Sequence, residues 1–429
     1  MTLRSRALLA VPVLALGTLV AACDTGSDRG QSIYTPDETA GQRLPDPTLT
    51  SVAPKTGEPT ISGKAVAGFT PLTITGTGFV QGKTYVYFNG TRVPIVSLTS
   101  TQIEVQAPNM PVDNINVKVS VVGAVNFSSV KQISLATALV RWGKFLPTNA
   151  GYGVATNYGN NSGYVSATEN NASQGIQYVS GETRENSIAT GNFTWPELTY
   201  LDGFVYGVRG VRAVFRFTPG SSTQTVWTNT SDFGSTVLLN AIDIESDGTV
   251  WTGGTLSATG TAADRMLYRV APGAAPRATT KYPHGGVITA IEATPSAIYV
   301  AGTVGTTTGV WKYTRSGTTL GAPTLLASVE STLTINAMAA ASDGSLLLGV
   351  APTDVTLNAT FTDPLLRVLP DGTVNARLGG LLTKGIVAMR WLDADHLLVT
   401  GAAIVGNADS QKPTAGDLLV VAPLVSAQP

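Results

Sequence analysis

One phrase recurs down the second half of the chain, and that recurrence restricts the possible folds more than any other feature. Its clearest copy runs from Ile335-Asn336-Ala337-Met338 to Ser342-Asp343-Gly344-Ser345-Leu346-Leu347-Leu348-Gly349. An apolar pair flanking a small residue, an Asp-Gly turn and a short apolar run closed by glycine describe a hairpin of two short strands. Further copies run from Leu239 to Gly253, from Ile288 to Gly302 and from Ile386 to Gly401, with a worn one from Glu197 to Gly207. The closing glycines are therefore spaced by 46, 49, 47 and 52 residues. A period in that range marks a repeat architecture.

A second element follows each hairpin. Val214-Phe215-Arg216-Phe217, Met266-Leu267-Tyr268-Arg269-Val270, Val310-Trp311-Lys312-Tyr313 and Leu365-Leu366-Arg367-Val368 each read as a third strand, and a weaker fourth follows, as at Thr373 to Leu378. Four antiparallel strands in a unit of this length match one blade of a β-propeller. Residues 151–184 add a degenerate blade. The last copy reaches only a third strand, Leu418 to Pro423, and Leu139 to Phe145 is placed to supply the missing one. The expectation over residues 137–429 is a β-propeller of about six four-stranded blades, with five or seven also compatible.

The N-terminus has a different character. Residues 1–22 hold Arg4 and Arg6 followed by an apolar run broken by Pro12 and Gly17, the pattern of a secretory signal peptide. The run ends Leu19-Val20-Ala21-Ala22-Cys23, which resembles the lipobox of bacterial lipoproteins. The resemblance implies cleavage before Cys23 and a diacylglycerol on its sulfur, hence a membrane-anchored protein of the cell envelope. Cys23 is the only cysteine of the chain, so no internal disulfide is possible. Residues 23–46 are almost devoid of apolar groups and are expected to form a flexible tether.

Residues 47–136 carry seven short strand-like runs separated by Gly, Pro and Asn turns, which suggests a small immunoglobulin-like β-sandwich. Val52-Ala53-Pro54-Lys55-Thr56-Gly57, the corner Gly76-Thr77-Gly78-Phe79, the strand Val86-Tyr87-Phe88-Asn89-Gly90 and the later Thr101 to Pro108 resemble an IPT/TIG domain. That family implies a spacer or interaction module. The stretch Gly76 to Thr84 has neither the glycine spacing nor the following helix of a phosphate-binding loop. The whole chain is thus expected to be all-β.

Few residues suggest chemistry. The two histidines, His284 and His396, have no second histidine nearby, and no nucleophile elbow, zinc or calcium pattern occurs. No cofactor is expected. In the innermost strands, the polar residues before the recurring small one are Glu197, Asn240, Thr289 and Asn336, and those two places after it include Asp243, Glu292 and Arg390. Of these, Asn240, Asp243, Glu292, Asn336 and Arg390 are the candidate ligand contacts at a channel mouth. The plainer reading is that they solvate the channel or pair with one another. With 27 basic and 28 acidic residues the chain has no electrostatic bias toward nucleic acid. Two functions follow as expectations. One is a lipid-anchored, non-enzymatic binding or scaffold module for an extracytoplasmic glycan or protein. The alternative is a propeller hydrolase or lyase for a polysaccharide or lactone, which requires two carboxyl groups facing across the channel.

Overall fold

A computed structural model describes residues 43–428 apart from 59, 62, 111–112, 144–148, 170–171, 189–192, 229–232, 234–235, 258, 355, 358–360, 362, 379–380, 402, 405–417 and 424–426. The signal peptide and Cys23 lie outside the described residues. No helix among those described is long and apolar enough to cross a membrane. The chain divides into two compact units, one of residues up to Thr56 with Pro71–Ser134, the other of Gly57–Thr70 with Leu135 onward.

The first unit has two antiparallel four-stranded sheets. One runs in the order Thr48–Pro54, Pro71–Thr77, Gln102–Gln106, Ile95–Leu98, the other Lys131–Ile133, Ile115–Val121, Thr84–Phe88, Thr91–Val93. Period-two alternation sets the core, because successive side chains of a strand point to opposite faces. Val86 and Phe88 are buried while Tyr85 and Tyr87 are not, and Leu72, Ile74, Ile103, Val105, Val117 and Val119 close the same interior.

The last strand of the second sheet is short, Lys131–Ile133. Ahead of it the Asp46 carboxylate accepts the backbone N–H groups of Val125 at 2.9 Å and Asn126 at 3.0 Å, and the Asn126 side-chain amide at 2.6 Å. Ser128 completes the clasp: its N–H donates to Val119 O, and its Oγ accepts the Val119 N–H.

Among the described residues the second unit contains six four-stranded antiparallel sheets. Their innermost strands are, for sheets 1 to 6, Asn149–Asn157, Glu197–Leu201, Val237–Ile244, Val287–Ala293, Leu333–Ala340 and Ala388–Trp391. Each innermost strand touches the next in that order, and that of sheet 6 returns to sheet 1, so the sheets close on themselves. Sheets 1 to 5 each use four consecutive strands. In sheet 6 the outer strand is Leu139–Trp142, which pairs with Leu418–Val421 in the register Leu139 to Val421 and Trp142 to Leu418.

The physical unit of this body is the interface between neighbouring sheets. Each boundary has its own apolar cluster, for example Leu198, Phe215 and Trp195 between sheets 1 and 2, and Trp251, Leu267 and Ile288 between sheets 3 and 4. Leu347, Met389 and Val399 fill the boundary of sheets 5 and 6, and Val154, Leu398 and Val420 that of sheets 6 and 1. A sheet covered on both faces needs strands apolar at consecutive positions. Runs such as Leu346-Leu347-Leu348, buried without alternation, meet that need.

The recurring glycines have a different role from the one expected. Gly253, Gly302 and Gly349 do not close their strands but lie inside Val250–Leu256, Ala297–Val304 and Leu346–Pro352. Each faces a register shift in the innermost strand, where Asn240, Thr289 and Asn336 are the extra residues of β-bulges. A Cβ on Gly349 would overlap Cγ2 of Ile386, and one on Gly253 would lie 2.7 Å from Cδ1 of Ile288, both residues leading into the next sheet. Glycine there permits close sheet-to-sheet approach. The Asp-Gly turns behave as expected: Gly248 and Gly344 have φ of +85° and +80°, and the preceding Asp247 and Asp343 accept the N–H two residues on.

Candidate functional site

The side chain of Arg390 carries the site. Its Cα lies on the innermost strand of sheet 6, opposite Leu398 in register, as Asp243 lies opposite Trp251 and Glu292 opposite Tyr299. Because these three occupy equivalent places on different sheets, their side chains converge on one level. Arg390 Nη2 donates to Glu197 Oε1 at 2.7 Å and to the carbonyl of Ile242 at 2.7 Å, while Nε donates to Leu198 O at 3.2 Å. Nη1 lies 3.8 Å from both Asp243 Oδ1 and Glu292 Oε2. One guanidinium thus meets groups of sheets 2, 3 and 4, on the far side of the ring from its own strand.

Two of the three carboxylates are also bonded to the next sheet. Asp243 Oδ2 accepts the N–H of Ala293 at 2.8 Å, and Glu292 Oε1 accepts that of Ala340 at 2.9 Å. The series continues through the Trp391 indole, which donates to Ala340 O at 2.7 Å, and Thr156 Oγ1, which donates to Trp391 O at 2.6 Å. Side chains from sheets 3, 4, 6 and 1 therefore stitch successive innermost strands together at one level.

Three buried carboxyl groups share one guanidinium, which fixes the electrostatics. Burial, against the pull of Arg390, pushes Glu197 up to about 8. Burial and the nearby charge of Asp243 push Glu292 up to about 8 as well, and burial raises Asp243. For Arg390, burial opposes the charge, but the three carboxyl groups outweigh it and hold the guanidinium above its ordinary value. Near neutrality the cluster is therefore disposed to hold protons until its charges balance.

Of the five candidate contacts, the structure brings Asp243, Glu292 and Arg390 together, with Glu197. It does not bring Asn240 or Asn336 to them. Asn240 Nδ2 donates to Thr255 Oγ1 within its own sheet at 3.2 Å, whereas Asn336 Nδ2 donates to Ile386 O at the next boundary at 2.9 Å. Thr289 Oγ1 makes the corresponding bond to Ile335 O.

Of the five, Glu292 lines a cavity. At the hairpin-turn end of sheets 3 and 4 a space of about 590 Å³ is bounded by Glu292, Glu245, Asp247, Arg315 and Gln428. Arg315 is held in a two-pronged pair with Glu245, Nη2 to Oε2 at 3.1 Å and Nη1 to Oε1. Sequence reasoning missed these residues. A usable signal existed, since the third strands of sheets 3, 4 and 5 each supply an arginine to a hairpin turn: Arg269 to Thr249, Arg315 to Glu245 and Arg367 to Asp343.

Neither histidine joins the cluster. His396 pairs with Asp393 at 2.9 Å in a hairpin turn. His284, which follows the strand Thr279–Pro283, is buried with its ring edge-on to Trp311. Tyr313 donates its hydroxyl to Pro283 O at 3.0 Å, so His284 Nδ1 is the donor in the 3.0 Å bond to Tyr313 Oη. Burial pushes His284 down to about 4 and keeps the ring neutral. Among the described residues no group of three or more His, Cys, Asp or Glu side chains is arranged to hold a metal ion.

Comparison with known proteins bears on each unit. The family model described as IPT/TIG domain matches residues 47–135. No curated protein matches the chain. Among solved structures, a Bacteroides thetaiotaomicron VPI-5482 protein provisionally called a phosphatase matches with a TM-score of 0.51 at 9% identity, over 90% of this chain and 98% of its own. An auxiliary nutrient binding protein of the same organism matches with a TM-score of 0.46 at 11% identity, over 88% and 97%. A gluconolactonase from Xanthomonas campestris matches with a TM-score of 0.46 at 11% identity, over 68% and 89%. Such identities speak to fold and not to activity. Residues 47–135 thus match the IPT/TIG domain model, and the chain is all-β, with many four-stranded sheets and structural neighbours of propeller type.

Proposed function

We propose that this chain is an exported, lipid-anchored, non-enzymatic binding protein of the bacterial envelope. In this reading Cys23 carries the lipid, the first unit is an immunoglobulin-like sandwich, and the six sheets of the second are the blades of a propeller that takes an extracytoplasmic glycan or protein. The single observation behind it is the state of the axial cluster. Arg390, Glu197, Asp243 and Glu292 are all engaged within the protein, and Arg390 lies across the axis. A base or nucleophile needs a lone pair turned toward substrate, whereas Glu197 is turned to Arg390 and Asp243 to Arg390 and the Ala293 N–H. The cavity beside Glu292 is of a size that suits a small ligand or the end of a larger one.

Recovery from envelope extract on immobilised protein lacking residues 1–23 tests the reading. A reproducible glycan or protein ligand, reduced when Arg315→Ala alters the cavity wall, is the expected result. Recovery of nothing from repeated extracts overturns it. Labelling of the cellular protein with an alkyne fatty acid, abolished by Cys23→Ser, tests the anchor separately.

The hydrolase or lyase reading has one observation in its favour: Glu292 both lines the cavity and holds its proton near neutrality, as a general acid must. A glycan and ester activity screen of the wild-type protein beside Asp243→Asn and Glu292→Gln decides between the two. Turnover lost in either variant would replace binding with catalysis.

A further inference from the structure

The strand Leu333–Ala340 is the edge of sheet 5, so one side of it carries main-chain groups that no other strand of that sheet satisfies. At its end those groups are met by residues from far along the chain. Gln428 donates its N–H to Ala340 O at 3.1 Å, and Ala427 forms an antiparallel bridge with Ala341. Ala427 in turn donates its N–H at 2.7 Å to the carbonyl of Ala394, which lies between the strands Ala388–Trp391 and Leu397–Thr400 of sheet 6. Two consecutive main-chain donors therefore lie across the turn ends of sheets 5 and 6.

The two side chains go to different places. Ala427 is buried in the apolar cluster that holds Ala341, Leu347 and Met389. Gln428 instead lines the cavity of about 590 Å³ beside Glu292. Its other walls include Asp247 and the paired Glu245 and Arg315, a lining that suits a polar side chain. Main-chain bonds to a sheet edge, with neighbouring side chains read by separate pockets, are the means by which proteins take up an extended peptide. These contacts ask little of the occupant: two backbone N–H groups, one methyl and one polar side chain.

We propose that this shelf, made of Ala340, Ala341 and Ala394 with the adjoining cavity, is the docking site for an extended segment of a partner protein, and that residues 427–428 hold it until the partner displaces them. The inference rests on the binding reading above and narrows its ligand to a peptide, small and apolar at one position and polar at the next. Displacement is local. Leu333–Ala340 keeps its pairing with Leu346–Pro352 from Leu333 to Ala340 whether or not residues 427–428 are in place. Being tethered, those residues act at a high effective concentration, which a free peptide must outcompete.

The test uses the chain lacking residues 1–23, as wild type and as Ala427→Pro, with a fluorescein-labelled synthetic peptide of residues 424–429 as the probe in fluorescence polarisation. Proline removes the N–H bonded to Ala394 O and so frees the shelf. The variant should bind the probe about tenfold or more tighter than the wild type does, and a probe carrying proline at the position of Ala427 should bind neither. Adding Ser246→Trp, which fills the cavity from an exposed wall, should weaken binding to the Ala427→Pro chain. Hydrogen exchange of the wild type needs no variant: the amides of residues 427–428 should exchange faster than those of Leu333–Ala340. Binding of the probe to neither form, equal binding to both, equal binding of the proline-bearing probe, or exchange at 427–428 as slow as in Leu333–Ala340 would each overturn the proposal. Should envelope extract still yield a ligand while the probe fails, the binding reading stands and this docking site alone falls.

Discussion

Arg390 Nη2 lies 2.7 Å from Glu197 Oε1, although the two residues belong to sheets 6 and 2, which do not adjoin. The same nitrogen reaches Ile242 O of sheet 3. A single side chain thus braces the ring from within, in addition to the apolar contacts that join adjacent sheets. Removing one partner of a buried ionic group leaves the others uncompensated, typically at a cost of about 3–5 kcal/mol. Arg390→Met should destabilise the protein by that amount in urea unfolding. A loss below about 1 kcal/mol would mean that the cluster contributes little to stability.

The same cluster predicts how stability varies with pH. Glu197 and Glu292 have an ordinary value of 4.5 and are held at about 8, so between those limits the folded chain binds more protons than the unfolded one. Their contribution is complete below about 4.5 and is lost as pH rises through about 8. Tm should therefore fall between pH 7 and pH 9, by about 5 °C or more. The Glu197→Gln/Glu292→Gln pair should flatten that decline. An identical slope in the variant would place the titration elsewhere.

His284 acts in the opposite sense and in a lower window. Its ordinary value is 6.5, and burial holds it at about 4, so the unfolded chain takes up a proton first as pH falls. Its contribution is present above about 6.5 and is lost on descending through about 4. His284→Gln should reduce the difference in stability measured between pH 7 and pH 4.5. A wild-type slope in that variant would show that His284 does not titrate in this window.

The bulge residues separate two kinds of polar contact. Asn336 bonds across a sheet boundary to Ile386 O, whereas Asn240 bonds to the half-buried Thr255 hydroxyl in its own sheet. Asn336→Ala should cost about 1–3 kcal/mol, because a backbone carbonyl loses its donor, and Asn240→Ala should cost less, about 1 kcal/mol at most. Urea midpoints of the two variants in one buffer check the order.

Close approach at the mid-strand glycines gives a further ranking. An added methyl at Gly349 overlaps Ile386 Cγ2 and lies 3.0 Å from its Cβ, near the rigid base of a branched side chain, whereas at Gly253 it meets the swinging tip of Ile288. Overpacking typically costs about 1–3 kcal/mol. Gly349→Ala should fall at the upper end of that range and Gly253→Ala at the lower, as read from thermal unfolding.

Much of this body was legible in the sequence because the repeat carries its own register. Asp243, Glu292 and Arg390 occur two places after the recurring small residue, and equivalence along the chain became one level in space. Bulges were not legible. Asn240, Thr289 and Asn336 look like ordinary strand residues until the partner strand shows an unmatched position, and without the bulge the glycine opposite reads as a strand end. The cavity was hidden for another reason: Glu245, Arg315 and Gln428 are far apart in sequence and meet only because neighbouring turns are brought side by side. Asp46 was hidden in the same way, since its polar surroundings in sequence resemble a linker and its partners lie some 80 residues ahead.

The pairing of Leu139–Trp142 with Leu418–Val421 orders events during synthesis. Sheets 1 to 5 are each built from neighbouring strands and can assemble as they leave the ribosome. The sixth must wait, because its earliest strand is made before those of sheets 1 to 5 and its partner only after them. Until then the apolar flanks of sheets 1 and 5 stay uncovered, which makes the nascent six-sheet body dependent on a late pairing of its first strand with its last.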